Sequence, residues 1–376
     1  MNRIALGLLT AAAGLLGACS LPSPSLSLLA SDCRGQFGAP GDVEPSDVFF
    51  MASNMADCRE DTLQFAIFRS DELSYGFVTP AGHDEGSSDA HRAKLLAEDQ
   101  WLAALSDQVE QPGNERRVLL YIHGYRSDFD DALDRTVTVR NLNAYSVPTV
   151  SVVWPSRKRY LSYLYDASSI AWSQGYIDSL LLSLVEKSDN ITLVAHSMGG
   201  RALVGAIRRL NLAKPDKAAH VHRLILVSPD IDRHQVLRDD GSITELLKGG
   251  RSVTIYSSQE DLALRTSRSL HGYSRLGSSD CSYSVDYVER SLGRDGNCHL
   301  GPDLPGLSMV DTSAAVAEGG LRHGDVFDTC VGRADLAAVL NGEPTPWRET
   351  VAPRGGRTGY RLTHASYAAQ RDDCPA

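Results

Sequence analysis

The chain has 376 residues, of which 42% are hydrophobic and 22% are charged, with 32 glycines and 16 prolines. These proportions are ordinary for a globular protein and exclude a collagen-like, coiled-coil or wholly disordered chain. The formal net charge of −10 argues against nucleic acid as the main partner, because binding to phosphates needs a basic face. The chain has seven cysteines, an odd number, and the first of them has a different predicted role from the other six.

The N-terminus has the pattern of an export signal. Met1–Arg3 is a short cationic start, and the 15 residues Ile4–Ala18 are uncharged and mostly apolar. Such a run is too short to span a bilayer, which needs about 20 residues, but it suits the apolar region of a secretory signal. It ends in Leu-Gly-Ala-Cys19, which resembles the bacterial lipobox. We therefore predict a lipoprotein signal peptide at 1–18 and lipidation of Cys19, with ordinary secretion as the alternative.

Lipidation of Cys19 would anchor the mature protein to a membrane, because each buried CH₂ group contributes about 0.8 kcal/mol. The residue after Cys19 would be Ser20, and in this the chain resembles lipoproteins of the outer membrane, whose second mature residue is serine and not aspartate. We therefore expect a location at the bacterial cell envelope, on the periplasmic face of the outer membrane. Residues 20–31 are rich in Ser, Pro and Leu and predict a tether, so that 19–44 forms the lipidated N-terminus.

Six cysteines remain after Cys19, and an even set in an exported chain favours disulfides. Sequence proximity predicts the pairs Cys33–Cys58, Cys281–Cys298 and Cys330–Cys374. The sequence contains no CxxC motif or Cys/His cluster with the spacing of zinc ligands. We therefore expect neither a metal nor an organic cofactor.

Strand-like runs alternate with helix-like patterns along the rest of the chain. Leu63–Arg69 and Tyr75–Val78 predict two early strands, and Val118–Ile122 is a continuous apolar run typical of a buried parallel strand. Further strands are predicted at Thr149–Val153, Ile191–Val194, Leu224–Val227, Val253–Ser257 and Leu307–Val310, and helices at Asp130–Leu142, Ala171–Lys187, Met198–Leu210 and Ala334–Asn341. The alternation predicts an α/β fold with a doubly wound, mostly parallel sheet. Sites in such sheets lie beyond the carboxyl ends of the strands.

The strongest motif follows the predicted strand Ile191–Val194. Ala195-His-Ser197-Met-Gly199, between a strand and a helix, has the pattern of a nucleophile elbow with alanine in place of the first glycine. Small residues are needed two positions before and after the serine because the turn is tight. The elbow exposes the serine hydroxyl and directs the next backbone N–H to the oxyanion. The alternative is a glycine-rich loop in which Ser197 only caps a helix.

A second motif, His123-Gly-Tyr125, ends the strand Val118–Ile122. In hydrolases that contain a nucleophile elbow, which the first motif resembles, the backbone N–H after such a glycine supplies a second oxyanion donor, and each donor is worth about 3 kcal/mol. We assign the two donors to the N–H groups of Tyr125 and Met198. His123 and His196 are interpreted as structural residues rather than as the catalytic base.

With these motifs the chain resembles the α/β-hydrolase superfamily, and more narrowly a bacterial branch of hydrolases of unknown function. The matching motifs, in chain order, are Val48–Ala52, Leu73–Gly76, Pro80 with His83 and Gly86, Ile122–Tyr125, Val153–Ser156, Ala195–Gly199 and Ser228–Asp232. The resemblance implies an α/β-hydrolase domain at 45–342, followed by a C-terminal extension at 343–376.

The acid of such a hydrolase follows the second strand after the elbow. The resemblance places it at Asp261, after the predicted strand Val253–Ser257. Glu260 is the nearest rival, and Asp230 or Asp232 would be an alternative one strand earlier.

The base of such a hydrolase follows the last strand. The resemblance places it at His323, and His364 in the C-terminal extension is the rival. The order Ser197, Asp261, His323 is that of the α/β-hydrolases.

These residues predict a serine hydrolase that cleaves carboxylic esters, with lipid or acyl esters among the candidate substrates. A serine hydroxyl needs an imidazole to take its proton, and a carboxylate fixes the imidazole tautomer. One alternative is a non-catalytic envelope protein that uses the fold for binding, since a fold alone does not establish activity. An amidase or peptidase with the same triad is another.

Aromatic and basic residues follow the strand Thr149–Val153. The run Arg157–Tyr160 is a candidate for binding anionic headgroups or substrate, with a solvated loop as the alternative. Aromatic side chains that could line an apolar acyl pocket, or simply pack between helices, are Tyr160, Tyr163, Tyr165 and Trp172.

Overall fold

A computed structural model describes residues 33–58, 63–80, 92–144, 147–279, 305–317, 319–351, 359–370 and 374–375. The strands are β1 (Val48–Asp57), β2 (Gln64–Thr79), β3 (Arg92–Leu96), β4 (Arg117–Ile122), β5 (Thr149–Val153), β6 (Asn190–His196), β7 (Val221–Val227), β8 (Ser252–Ser257), β9 (Leu307–Ala314), β10 (Glu349–Val351) and β11 (Gly359–Thr363). The helices are α1 (Glu98–Val109), α2 (Phe129–Asn141), α3 (Tyr163–Trp172), α4 (Gln174–Lys187), α5 (Gly199–Ala213), α6 (Pro215–Ala218), α7 (Arg233–Leu237), α8 (Ser242–Lys248), α9 (Leu262–His271), α10 (Asp325–Asp328), α11 (Cys330–Asn341) and α12 (His364–Ala368).

The described strands form one sheet in the order β10-β11-β9-β8-β7-β6-β4-β5-β1-β2-β3. Every pairing from β11 to β1 along this order is parallel. Antiparallel pairing is confined to the two ends, where β2 joins β1 and β3, and β10 joins β11. The predicted α/β class with a mostly parallel sheet is therefore confirmed.

Helices cover both faces of the sheet, and the alternation within β4 shows why. Leu120 belongs to the core layer that holds the apolar sides of α1, α4 and α5. Its neighbours Leu119 and Tyr121 point to the opposite layer, which contains α11 and part of α2. Because both faces are buried, the strand has to be apolar at consecutive positions. The continuous hydrophobic run seen in the sequence follows from this double burial.

The structure differs from the predicted elements in two regions. The early strands Leu63–Arg69 and Tyr75–Val78 form one strand, β2. Residues 70–73 connect them as a bulge, because Arg69 pairs with Asn54 and Ser74 pairs with Ala52 on β1. The predicted helix Ala171–Lys187 is interrupted at Ser173, between α3 and α4. There the buried Ser173 hydroxyl donates to the Ser169 carbonyl and contacts the Ser53 hydroxyl at 3.0 Å. Helix α1 was not predicted.

Disulfides join each end of the described chain to the body of the fold. The predicted pairs Cys33–Cys58 and Cys330–Cys374 are both present, which confirms them. The predicted pair Cys281–Cys298 lies outside the described residues, as do Cys19 and the tether at 20–31. No helix in the described part of the chain is long and apolar enough to cross a membrane.

The C-terminal segment completes the sheet, since β11 pairs with β9. A buried carboxylate holds this segment to the core. Asp335 on α11 is fully buried and accepts hydrogen bonds from Tyr256 Oη at 2.8 Å, Trp347 Nε1 at 3.0 Å and Arg348 Nη2 at 2.6 Å. The Arg348 side chain is itself only 6% exposed. The ion pair and its two neutral donors therefore depend on one another.

We expect Asp335→Ala to lower the free energy of unfolding by about 3–5 kcal/mol, because it leaves the buried Arg348 cation without a partner. Denaturant unfolding followed by circular dichroism measures this change. Asp178→Ala is the matched control, since it removes the half-exposed Arg209 ion pair and should change the free energy by at most about 1 kcal/mol. Equal effects of the two substitutions would contradict the anchoring role of Asp335.

Candidate active site

Ser197 occupies a tight turn between β6 and α5, at the carboxyl edge of the sheet. Its φ of +52° lies in the left-handed region, which a non-glycine residue adopts only when its surroundings enforce it. Two backbone hydrogen bonds do so here. Ser197 N–H donates to the Val227 carbonyl at 3.0 Å, and Asp230 N–H donates to the Ser197 carbonyl at 3.1 Å. Ser197 thus occupies a constrained turn between a strand and a helix, which is the local geometry that a nucleophile elbow requires.

Two glycines allow the elbow to pack closely against the end of β4. A Cβ atom at Gly199 would lie 2.5 Å from the His123 carbonyl oxygen, and one at Gly124 would lie 2.8 Å from Ser197 Cβ. Neither distance is compatible with a side chain. Close approach of β4 and the elbow therefore requires glycine at both positions, and it brings the backbone of Tyr125 next to Ser197.

His323 and Asp261 form a buried pair. His323 Nδ1–H donates to Asp261 Oδ2 at 2.6 Å, and Asp261 is almost completely buried. Asp261 also caps α9, since its Oδ1 accepts from Leu264 N–H at 2.9 Å. The structure thus brings together two of the predicted triad residues, separated by 62 residues in sequence.

The loops that contain Asp261 and His323 are also held together by contacts of the neighbouring residues. Leu262 N–H donates to the Leu321 carbonyl at 3.0 Å, and the Arg322 guanidinium lies 3.3 Å from the Glu260 carboxylate. Glu260, the nearest rival for the acid, is therefore paired with an arginine and not with the histidine. It helps to align the two loops so that Asp261 faces His323.

Charge and burial act in opposite directions on His323. Burial lowers the pKa of the imidazole, but the charge and hydrogen bond of Asp261, with the charges of Asp230 and Asp325, outweigh it. The pKa of His323 is consequently raised above its ordinary value. The Asp261 bond uses Nδ1–H, so Nε2 of the neutral ring is the acceptor. His323 Nε2 is buried and has no hydrogen-bond partner among the described residues.

His196 positions the loop of His323 beside the elbow. Its Nε2–H donates to the His323 carbonyl at 2.9 Å, and the centres of the two imidazole rings are 4.7 Å apart. Burial and the neighbouring His323 keep the pKa of His196 well below its ordinary value. His196 directly precedes Ser197, so it links the two catalytic candidates structurally. In the described structure no hydrogen bond joins Ser197 to His323; such bonds often tighten only when substrate is bound.

The two predicted oxyanion donors lie where the elbow meets the end of β4. Tyr125 follows Gly124, which packs against Ser197, and Met198 directly precedes α5. Neither N–H donates to an acceptor within the described parts of the chain. Both groups therefore remain available to stabilise negative charge on a substrate carbonyl oxygen.

His123 is structural. Its Nε2 accepts from Trp154 N–H at 3.0 Å, its Nδ1 contacts the Gly124 carbonyl at 2.9 Å, and its ring stacks on the Trp154 indole. Burial lowers the pKa of His123 to about 4, so the ring is neutral in this role. It joins the ends of β4 and β5 and fixes the turn that presents Tyr125.

Asp230, a rival for the acid, belongs to a separate ion cluster. Its carboxylate lies 2.6 Å from both the Arg201 and the Arg275 guanidinium groups, and it accepts from Tyr163 Oη at 2.6 Å. Burial raises the pKa of Asp230, but the two arginines outweigh it and lower that pKa. The sequence did not reveal this cluster, because its members come from distant segments without a common motif.

The other rivals also lie away from the pair. The Asp232 carboxylate accepts a hydrogen bond from Gln235 N–H at 3.4 Å, in the helix α7 that follows it. His364, on α12, is exposed and contacts the Val316 carbonyl at 3.4 Å. Neither contacts the Asp261–His323 pair in the described structure.

A cavity of about 790 Å³ opens beside His323. Its walls are largely polar and include Arg126, Lys158 and Asp325. Asp325 is 4% exposed, and one of its carboxylate oxygens has no partner among the described residues. Burial is the main cause that raises the pKa of Asp325. The cavity is therefore suited to a polar group rather than to a long acyl chain.

The four aromatic side chains that were candidates either for an acyl pocket or for helix packing do not share one pocket in the described structure. Of the four candidate side chains, Tyr160 lines the polar cavity. The other three support neighbouring elements: Tyr163 binds the Asp230 cluster, Tyr165 donates to the Ile67 carbonyl, and Trp172 packs against Tyr176. Helix packing is thus the correct interpretation for these three.

The sheet topology, with a tight strand–turn–helix after β6, defines the class as an α/β-hydrolase fold, and the candidates Ser197, Asp261 and His323 follow β6, β8 and β9. The chain belongs to the family described as alpha/beta hydrolase of unknown function (DUF900), whose sequence profile matches residues 97–325. This match covers more than half of the chain and confirms the resemblance stated from the motifs. Among curated proteins, none is significantly similar in sequence.

Solved structures similar to the chain include several esterases. An esterase from Pyrobaculum calidifontis is 12% identical, with 61% of this chain and 77% of that chain covered and a TM-score of 0.30. The carboxylesterase EstE1 from a metagenomic library is 12% identical, with 72% and 83% covered and a TM-score of 0.32. A bacterial heroin esterase is 13% identical, with 80% and 86% covered and a TM-score of 0.33. Scores this low carry no argument about activity.

Among the described residues, no three His, Cys, Asp or Glu side chains are grouped so that they could hold a metal ion.

We expect the His323 imidazole to titrate above the ordinary value of 6.5, because the Asp261 charge outweighs burial. In Asp261→Asn the charge is lost while burial remains, so the pKa should fall below 6.5. Nuclear magnetic resonance titration of histidine-labelled protein measures both values, with His323→Gln assigning the signal. A His323 signal that titrates below 6.5 in the unsubstituted chain would contradict the assignment.

Proposed function

We propose that the protein hydrolyses carboxylic esters with Ser197 as nucleophile, His323 as general base and then acid, and Asp261 as the group that orients His323. One observation carries this proposal. The Asp261–His323 bond leaves His323 Nε2 as a buried acceptor without a described partner, next to an elbow that holds Ser197 at a φ of +52°. An acceptor placed this way is what activation of a serine hydroxyl requires.

The reaction follows from these positions. Ser197 Oγ attacks the ester carbonyl carbon while its proton passes to His323 Nε2, and the carbonyl oxygen becomes an oxyanion. The N–H groups of Tyr125 and Met198 stabilise that oxyanion. Collapse of the intermediate expels the alcohol, which takes the proton from His323, and leaves an acyl group on Ser197. Water then attacks the acyl-enzyme by the same steps and releases the acid.

The polar cavity supports a substrate with a polar group next to the scissile ester. Arg126 and Lys158 offer donors there, and the open oxygen of Asp325 offers an acceptor. Burying an apolar chain against Arg126 Nε and Asp325 Oδ2, which have no described partner, would leave both atoms without hydrogen bonds at a cost in free energy. The proposed substrates are therefore esters that carry hydrogen-bonding groups, with a short apolar part on this side of the bond.

A location at the cell envelope, with a lipid anchor on Cys19, is part of the proposal. It is supported by the cationic start, the apolar run and the small residues before Cys19. The two disulfides in the described chain fit an oxidising compartment.

The first test is covalent labelling. A fluorophosphonate probe should label the folded protein, and Ser197→Ala should abolish labelling and reduce the kcat for p-nitrophenyl acetate by at least about 10,000-fold. Ser228→Ala is the matched control, because Ser228 also has a positive φ at the end of a neighbouring strand. No labelling of folded, unsubstituted protein would favour the non-catalytic alternative.

The second test concerns the anchor. Cells that express the full chain and are fed a radiolabelled fatty acid should incorporate label into the protein, and Cys19→Ala should remove it. Membrane fractionation should show the unsubstituted chain in the membrane pellet. Label that persists in Cys19→Ala would place the lipid elsewhere and contradict this assignment.

A further inference from the structure

Exposed apolar side chains are concentrated around the candidate site. Ten large hydrophobic residues in the described chain are well exposed, and six of them lie on two segments that flank the site. We call these six the rim patch: Tyr160, Leu161, Leu164, Leu262, Leu270 and Tyr273. Leu161 is 100% exposed and Leu164 is 72% exposed. Leaving such side chains in water is unfavourable, and clustered exposure of this kind marks an interaction surface.

The two segments of the rim patch are in contact. Tyr163, between Leu161 and Leu164, bonds to the Ser267 hydroxyl at 2.8 Å, and its ring centre is 5.7 Å from that of His271. Both partners lie on α9, the helix that Leu262 begins and that ends just before Tyr273. The patch is therefore one surface that extends from α3 to α9.

The rim patch borders the candidate site directly. Tyr160 lines the polar cavity, and its carbonyl accepts from Tyr125 Oη at 2.6 Å. On the other segment, Leu262 follows Asp261. A surface that covers the rim patch would therefore face the opening of the cavity.

Charge on the same two segments has one sign. Residues 157–164 and 262–273 contain five Lys or Arg residues and no Asp or Glu, in a chain of net charge −10. Lys158 forms ion pairs with Asp128 and Asp131. Arg159 is exposed and makes no ion pair with a described acidic residue. Apolar side chains beside cations on a surface are complementary to a bilayer that contains anionic lipids.

The N-terminal end of the described chain is near this edge as well. Cys33 is bonded to Cys58, which follows β1, and β1 runs parallel to β5. The end of β1 is therefore at the carboxyl edge of the sheet, as are Ser197, Asp261 and His323. The 14 residues from Cys19 to Cys33 reach at most about 50 Å when extended. A lipid anchor on Cys19 would hold this edge close to the membrane.

We propose that the rim patch docks the carboxyl edge of the sheet onto an anionic lipid bilayer, so that the cavity opens toward the membrane surface. Leu161 and Leu164 enter the interface, and Arg159 contacts lipid phosphates. The docking does not depend on ester hydrolysis, so a chain without activity would still bind.

Vesicle binding tests the proposal. The full chain carrying Cys19→Ala is mixed with phosphatidylcholine vesicles with or without phosphatidylglycerol, and bound protein is measured by sedimentation. The double substitution Leu161→Ser and Leu164→Ser should weaken binding to the anionic vesicles at least tenfold. Leu212→Ser is the matched control and should leave binding unchanged, because Leu212 is 74% exposed but lies at the far end of α5. Residues 4–18 are common to all variants, so differences report on the folded surface.

A second measurement does not depend on how well the serine variants fold. Leu161→Trp should show a blue-shifted emission and quenching by brominated lipids when anionic vesicles are added, whereas Leu212→Trp should show neither. Unchanged binding of the double variant, together with unquenched emission from the Leu161→Trp chain, would overturn the proposal. A change in self-association of the double variant, with unchanged vesicle binding, would also overturn it and identify the patch as a protein interface.

Discussion

The site depends on one steric constraint, the close packing of β4 against the turn that carries Ser197. The left-handed φ of Ser197 is unfavourable on its own, and it persists because β7 and the loop after it hold both sides of the turn through backbone hydrogen bonds. The same packing excludes side chains at Gly124 and Gly199. The position of the Tyr125 N–H relative to Ser197, and so the geometry of any oxyanion hole, follows from how closely these segments approach.

Buried charge is divided between two carboxylates near the elbow. One oxygen of Asp261 accepts a hydrogen bond from the N-terminus of α9, and the other accepts one from the His323 imidazole. Asp230 is balanced by Arg201 and Arg275, which lower its pKa, and it serves to hold α3, α5 and the loop after α9 together. The Asp230 carboxylate is hydrogen-bonded to these two arginines, and in the described structure it makes no hydrogen bond to His323. This difference in partners, rather than distance along the chain, distinguishes Asp261 from Asp230.

The sequence predicted what local patterns determine. Double burial makes β4 apolar at every position, and the elbow needs small residues at fixed spacing, so both could be recognised. The bulge at residues 70–73 could not, because polar residues in a strand look like a turn until the pairing partner is known. The Asp230 cluster and the exposure of Leu161 depend on contacts between distant segments. The family resemblance predicts Asp261 as the acid, whereas its bond to His323 is visible only in the structure.

The two described disulfides extend this organisation to the chain ends. Cys58 follows β1, and Cys330 begins α11 after the loop of His323, so both lie on the side of the sheet where the site is. Each bond ties a terminal segment, which would otherwise be prone to fraying, to an element next to the site. A cross-link restricts the unfolded chain more than the folded one, so it opposes local opening at these positions. The edge that carries the catalytic candidates is thus also the edge at which the two ends of the described chain are fixed.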